Sequence, residues 1–130
     1  MAFVWTGKVF RANRLSTVPL SIHVHSGGVI FLRINTALSK GIYDACKGDV
    51  YFRFGVDMTG HKVGLMFQSQ DGKAWRKMHV DKYTRLFASI HASTLGVNAS
   101  DISGEYIDFH FDKDAQLWLA DIRKRQPLKG

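Results

Sequence analysis

The sequence has one cysteine, Cys46, in 130 residues. A single thiol excludes an internal disulfide. Its place on an apolar helical face reads as core packing rather than as a nucleophile, and a reducing cytoplasm is the expected compartment. No apolar run approaches the roughly 20 residues needed to cross a bilayer, so neither a transmembrane helix nor a membrane partner is expected. The N-terminal MAFVWTGKVF lacks the long apolar run and small-residue cleavage site of a signal peptide. Catalytic signatures are missing too. There is no phosphate-cradling G-x-x-x-x-G-K-[ST], and the glycines form no dinucleotide fingerprint. Ser26, Ser39 and the other serines have no nucleophile-elbow context. Asp108, His110 and Asp112 can form a charged edge, but acid–base work needs a cleft and an orienting partner, and neither is visible. The expectation is a non-enzymatic protein without a cofactor.

Acidic residues are also in short supply: 11 Asp+Glu stand against 18 Lys+Arg, a net charge of +7. A basic domain of this kind is drawn to polyanions, nucleic acid first, by counterion release. The cations are grouped. Lys8, Arg11 and Arg14 lie near the start. Lys73, Arg76, Lys77, Lys82 and Arg85 surround the middle, partly offset by Asp71 and Asp81. Arg123, Lys124, Arg125 and Lys129 make a basic tail over residues 123–130, expected to be mobile. The candidate nucleic-acid-binding residues are Arg33, Arg53, Lys73, Arg76, Lys77, Arg123, Lys124 and Arg125. Arg33 and Arg53 lie on expected strands and are the candidates for base readout; the others hold phosphates. Tyr51, Tyr106 and Trp118 fall opposite the core face of their strands, where an aromatic beside cations can stack an unpaired base. His23-x-His25 puts two imidazoles on one strand face, with His110 or Asp108 as a conceivable third ligand. Polar residues on a solvated strand face are the commoner cause, and no metal is assigned.

With 45% hydrophobic and 22% charged residues, the composition is that of a globular chain, and the length suits one domain with a core. Residues 1–28 hold N-terminal strands: one within residues 1–10, and one after Pro19 in which Leu20, Ile22 and Val24 alternate with Ser21, His23 and His25. Residues 29–68 form a strand–helix–hairpin unit. Residues 29–34 (VIFLRI) are a strand. Asn35 caps a helix carrying Leu38, Ile42, Ala45 and Cys46 on its apolar side. Lys47-Gly48-Asp49 stops the helix. Residues 50–56 and 61–68 alternate as a hairpin around Asp57-Met58-Thr59-Gly60, where Asp57 bonds the backbone ahead and Gly60 supplies a permissive dihedral. Residues 75–122 follow the same plan more loosely. WRKMHV is a strand, Asp81 a second cap, and Tyr83, Leu86, Phe87, Ile90 and Leu95 a helical stripe. A hairpin then turns at Asp112-Lys113-Asp114.

The order VIFLRI–Asn–helix–KGD–VYFRFGVD–turn–HKVGLMF resembles the swapped-hairpin module of AbrB- and MazE-like prokaryotic transition-state regulators over about 40 residues. Gly48-Asp49 before the alternating Val50, Phe52 and Phe54 is its most specific part. The chain departs from that pattern at Ile34-Asn35, where the family carries a proline, and in having Arg33 as the one cation of the first strand. The resemblance implies an interlocked DNA-binding sheet, the second unit supplying the partner half. The expected fold is therefore α+β: two strand–helix–β-hairpin units with extra N-terminal strands, in a largely antiparallel sheet or partly open barrel. The expected function is nucleic-acid binding, DNA before RNA, by a prokaryotic or phage regulator able to form a homodimer or higher oligomer. The alternative is a protein–protein interaction module, such as a phage protein that binds a host factor. Its motive is the large apolar side chains on both strand faces.

Overall fold

The computed structural model describes residues 18–128, so the strand expected within residues 1–10 and the cations Lys8, Arg11 and Arg14 lie outside it. The described residues form one α-helix and ten strands, arranged in two five-stranded antiparallel sheets with no closed barrel. The α+β expectation holds at that level.

The first 50 described residues follow their sequence signals closely. β1 (Leu20–Val24) and β2 (Val29–Ile34) pair antiparallel across a 3-10 turn, Ser26–Gly28, where Gly27 and Gly28 take φ of 75° and 76°. Alternation decides their faces: Leu20, Ile22, Ile30, Leu32 and Ile34 are buried, while His23, Val29, Phe31 and Arg33 stay part-exposed. Asn35 caps α1 (Thr36–Ala45), its Oδ1 accepting from the Leu38 N–H at 2.9 Å. The buried stripe of α1 is Ser39, Ile42 and the following Cys46, whereas Ala45 is exposed. β3 (Tyr51–Asp57) and β4 (Lys62–Gln68) form the expected hairpin, and Asp57 Oδ1 accepts from the Gly60 N–H at 2.9 Å. The left-handed residue of that turn is His61, at φ 57°, not Gly60. Gly60 leaves room for the cap instead: a Cβ there would sit 2.5 Å from the Asp57 carboxylate, which would have to shift.

α1 is a crossover. β2 belongs to the first sheet, ordered β6 (His79–Val80), β7 (Leu86–His91), β2, β1, β8 (Gly104–Tyr106), and β3 to the second, ordered β5 (Arg76–Lys77), β3, β4, β10 (Leu117–Asp121), β9 (His110–Asp112). The strand, helix and hairpin of residues 29–68 are thus shared between two layers. The inner faces of both sheets meet in one core, to which Leu20, Ile22, Ile30, Leu32, Leu86 and Ile90 contribute from one side and Phe52, Val63, Leu65 and Ala120 from the other.

The second half departs from expectation. WRKMHV is split into β5 (Arg76–Lys77), in the second sheet, and β6 (His79–Val80), in the first. Met78 between them is buried and its N–H donates to the Val50 carbonyl at 2.8 Å, so the chain changes layer there. The expected second helix does not form: its residues make β7 (Leu86–His91) and a 3-10 turn, Ala92–Leu95. Leu86, Ala88 and Ile90 satisfy a period of two as well as Leu86, Phe87 and Ile90 satisfy a helical one. Burial beside β2, with Ala88 opposite Leu32 and Ile90 opposite Ile30, decides for the strand. Asp81 does cap backbone N–H groups, but those of Tyr83 and Arg85, at 2.8 and 2.9 Å, in the β6–β7 hairpin turn. Without that helix the region is not a second strand–helix–hairpin unit.

β8 (Gly104–Tyr106) joins the first sheet beside β1, and β9 (His110–Asp112) and β10 (Leu117–Asp121) form a hairpin in the second around the expected Asp112 turn. The basic tail is docked over its described part. Residues Ile122–Lys124 form a 3-10 turn, and Gln126 exchanges backbone hydrogen bonds with Glu105 at 2.8 and 2.9 Å.

Candidate nucleic-acid interface

Because β2 and β7 lie centrally in the first sheet and alternate strictly, every second side chain projects away from the core. On β2 these are Val29, Phe31 and Arg33; on β7, Phe87, Ser89 and His91; on β1, Ser21 and His23. The register aligns Ser21, Arg33, Phe87 and His79 across four strands, and His23, Phe31 and Ser89 in the next row.

Four rings form a continuous path over this face. His25 meets Phe31 edge-on at 5.6 Å, Phe31 stacks on Phe87 at 5.4 Å, and Phe87 stacks on His79 at 5.3 Å. The Arg33 guanidinium lies 5.3 Å from the Phe31 ring centre, within cation–π range. At the edge, the β6–β7 turn presents Tyr83, which is 57% exposed and flanked by Lys82 at 5.2 Å and Arg85 at 5.0 Å.

The face is cationic. Arg85 pairs with Asp81 at 2.9 Å. Arg33 has no hydrogen-bond partner for its buried Nε among the described residues. Burial, then the nearby Arg85, pulls the Arg33 pKa down from its ordinary 12.5, while Asp81 opposes this. A guanidinium so placed is stabilised by an arriving anion. Burial, followed by Arg33 and His25, likewise lowers the His23 pKa below the ordinary 6.5, with Glu105 opposing. His23 is therefore neutral at pH 7.

The sequence candidates divide among several surfaces. Arg33 is central to the first sheet's outer face. Arg76 reaches that sheet from β5, its Nη1 donating to the Ser89 carbonyl of β7 at 3.1 Å. Arg53 projects from the outer face of the second sheet, on the opposite side of the core, so Arg33 and Arg53 cannot serve one surface. Lys73 sits in the exposed loop before β5, and Lys77 faces Asp49 at 3.4 Å with both side chains largely in solvent. Arg123 is held by Asp121 at 3.0 and 3.2 Å, and Arg125 donates to the carbonyls of Ser103 and Ile122 at 3.0 and 2.8 Å. Those two arginines hold the C-terminal turn in place; Lys124 beside them is exposed.

Of the aromatic candidates, Tyr51 stays beside Arg53 on the outer face of the second sheet, and the other two lie elsewhere. Tyr106 is buried, its hydroxyl donating to the Ile102 carbonyl at 2.6 Å, and burial pushes its pKa up to about 12. Trp118 stacks on Phe109 at 5.4 Å and packs against the core. The rings on the outer face of the first sheet's central strands, Phe31 and Phe87, are not singled out by the sequence. The signal was present in VIFLRI, where Phe31 and Arg33 share the face opposite Ile30 and Leu32. For Phe87 the helical reading hid it. His110 and Asp108, the conceivable third metal ligands, lie with the second sheet, away from His23 and His25.

No known protein family, curated protein or solved structure matches the chain.

Proposed function

We propose that the outer face of the first sheet binds single-stranded nucleic acid, as a binding surface and not a catalytic one. The observation that carries this is the His25–Phe31–Phe87–His79 ring path with Arg33 laid over it. Unpaired bases stack on such rings whatever their identity, each stack contributing about 1–3 kcal/mol. Arg33, Arg76, Lys82 and Arg85 then supply charge for the phosphates, and the net charge of +7 draws the strand in from a distance. A duplex keeps its bases stacked inside and offers them no such contact, so a single strand is the better ligand.

The test is a fluorescence-anisotropy titration with labelled single-stranded DNA, single-stranded RNA and a duplex of the same sequence, at low and moderate salt. The reading expects single strands to bind more tightly than the duplex, with affinity falling steeply as salt rises. Equal binding of duplex and single strand would leave only non-specific charge attraction and overturn the stacking surface.

A further inference from the structure

The outer face of the second sheet has a different character. Its rows run Arg53–Met66 with Leu117 alongside, then Gly55–Gly64–Leu119, then Asp57–Lys62–Asp121 across β3, β4 and β10. Gly55 and Gly64 stand directly opposite one another and have no side chains, which leaves a groove of about 470 Å³ along the sheet. Met66, Leu117 and Leu119 wall it, with Arg53 at one end and Asp57 and Lys62 at the other. Arg53 and Asp57 are both exposed, share one strand face, and form no ion pair within the chain among the described residues.

This pattern is complementary to itself. A twofold axis running across the strands, along the Gly55–Gly64–Leu119 row, lays β3 of one copy antiparallel on β3 of another. Arg53 of each copy then meets Asp57 of the other, twice by symmetry. The glycine rows face each other and leave room for the Leu119 side chains of both copies. Met66 lies against the methylene stem of Lys62. We infer that this face is the contact between two copies of the chain. The inference is independent of the nucleic-acid reading, since it uses the other sheet and no shared residue. The face is three strands wide and seven residues long, roughly 15 by 23 Å. That is smaller than a standard stable interface, so the dimer is weak and concentration-dependent.

Sedimentation equilibrium of the full chain without nucleic acid, up to about millimolar concentration, tests this. Wild type is expected to dimerise. Arg53→Asp alone and Asp57→Arg alone set like charges together and are expected to be monomers. An equimolar mixture of those two variants pairs opposite charges again and is expected to dimerise, as is the double variant. Leu119→Arg, which brings two cations together on the axis and leaves the Asp57 turn intact, is expected to be a monomer. A wild type that stays monomeric throughout overturns the inference. So do single reversals that dimerise like wild type, or a mixture of folded variants that stays monomeric.

Discussion

Ser39 is fully buried, and its hydroxyl works in both directions. It donates to the Ile34 carbonyl at 3.1 Å and accepts from the Leu86 N–H at 2.9 Å, tying the end of β2, the first turns of α1 and the start of β7 together. Removing it leaves a buried donor and a buried acceptor unmatched, so Ser39→Ala is expected to lower stability by about 1–3 kcal/mol, read as a shifted urea midpoint. His23 works through its titration. Because the folded chain holds its pKa below the ordinary 6.5, the unfolded chain takes up the proton first. Stability is then full above pH 6.5 and falls as the pH drops toward the lowered folded-state pKa. His23→Gln is expected to flatten the fall in melting temperature that this shift predicts below about pH 6.5. Asp121 is shifted downward too, but here it is the charged form that the fold favours. Its hydrogen bonds to Arg123, with Lys62 3.5 Å away, hold its carboxyl well below the ordinary 3.8, so the stability it contributes is present above that value and is lost in stronger acid.

At the scale of elements, Gly104 decides whether the C-terminal segment can close on β8. Its φ is 148°, and a Cβ there would fall 2.8 Å from the Gln126 carbonyl oxygen. Gly104→Ala is expected to cost on the order of 2–3 kcal/mol through backbone strain and overpacking. Hydrogen exchange should show the Glu105 and Gln126 amides losing protection first. The elements also show what the sequence could convey. β1, β2, α1, β3 and β4 were legible because their signals agree: alternation, an Asn cap, Gly48 at φ 91° and an Asp57 turn each point to one local structure. β6 and β7 were not, because Asp81 accepts from backbone N–H groups in a hairpin turn as readily as at a helix start, and because residues 86–90 fit both periods. Only the place beside β2, a contact distant in sequence, resolves that choice. The layer change at Met78 has no local signal at all. The candidate site was half legible for the same reason. Arg33 was found on its strand, while Phe87 and His79 depended on the strand pairing that local pattern could not supply.

The whole molecule places two unlike faces on opposite sides of one core. One carries stacked rings and cations, the other a glycine-floored groove with a charge at each end. Arg33 and Arg53 are therefore a useful pair of probes: the same residue type on opposite faces, Arg33 half-buried and Arg53 exposed. The measurement that bears most directly on the account is a salt-dependent anisotropy titration of a single-stranded oligonucleotide against wild type, Phe31→Ala, Arg33→Ala and Arg53→Ala. Phe31→Ala is expected to weaken binding about tenfold to a hundredfold. Arg33→Ala is expected to weaken it and to reduce the salt slope by about 0.7, while Arg53→Ala stays close to wild type. If Arg53→Ala weakens binding as much as Arg33→Ala, or Phe31→Ala binds like wild type, the first sheet is not the nucleic-acid-binding face.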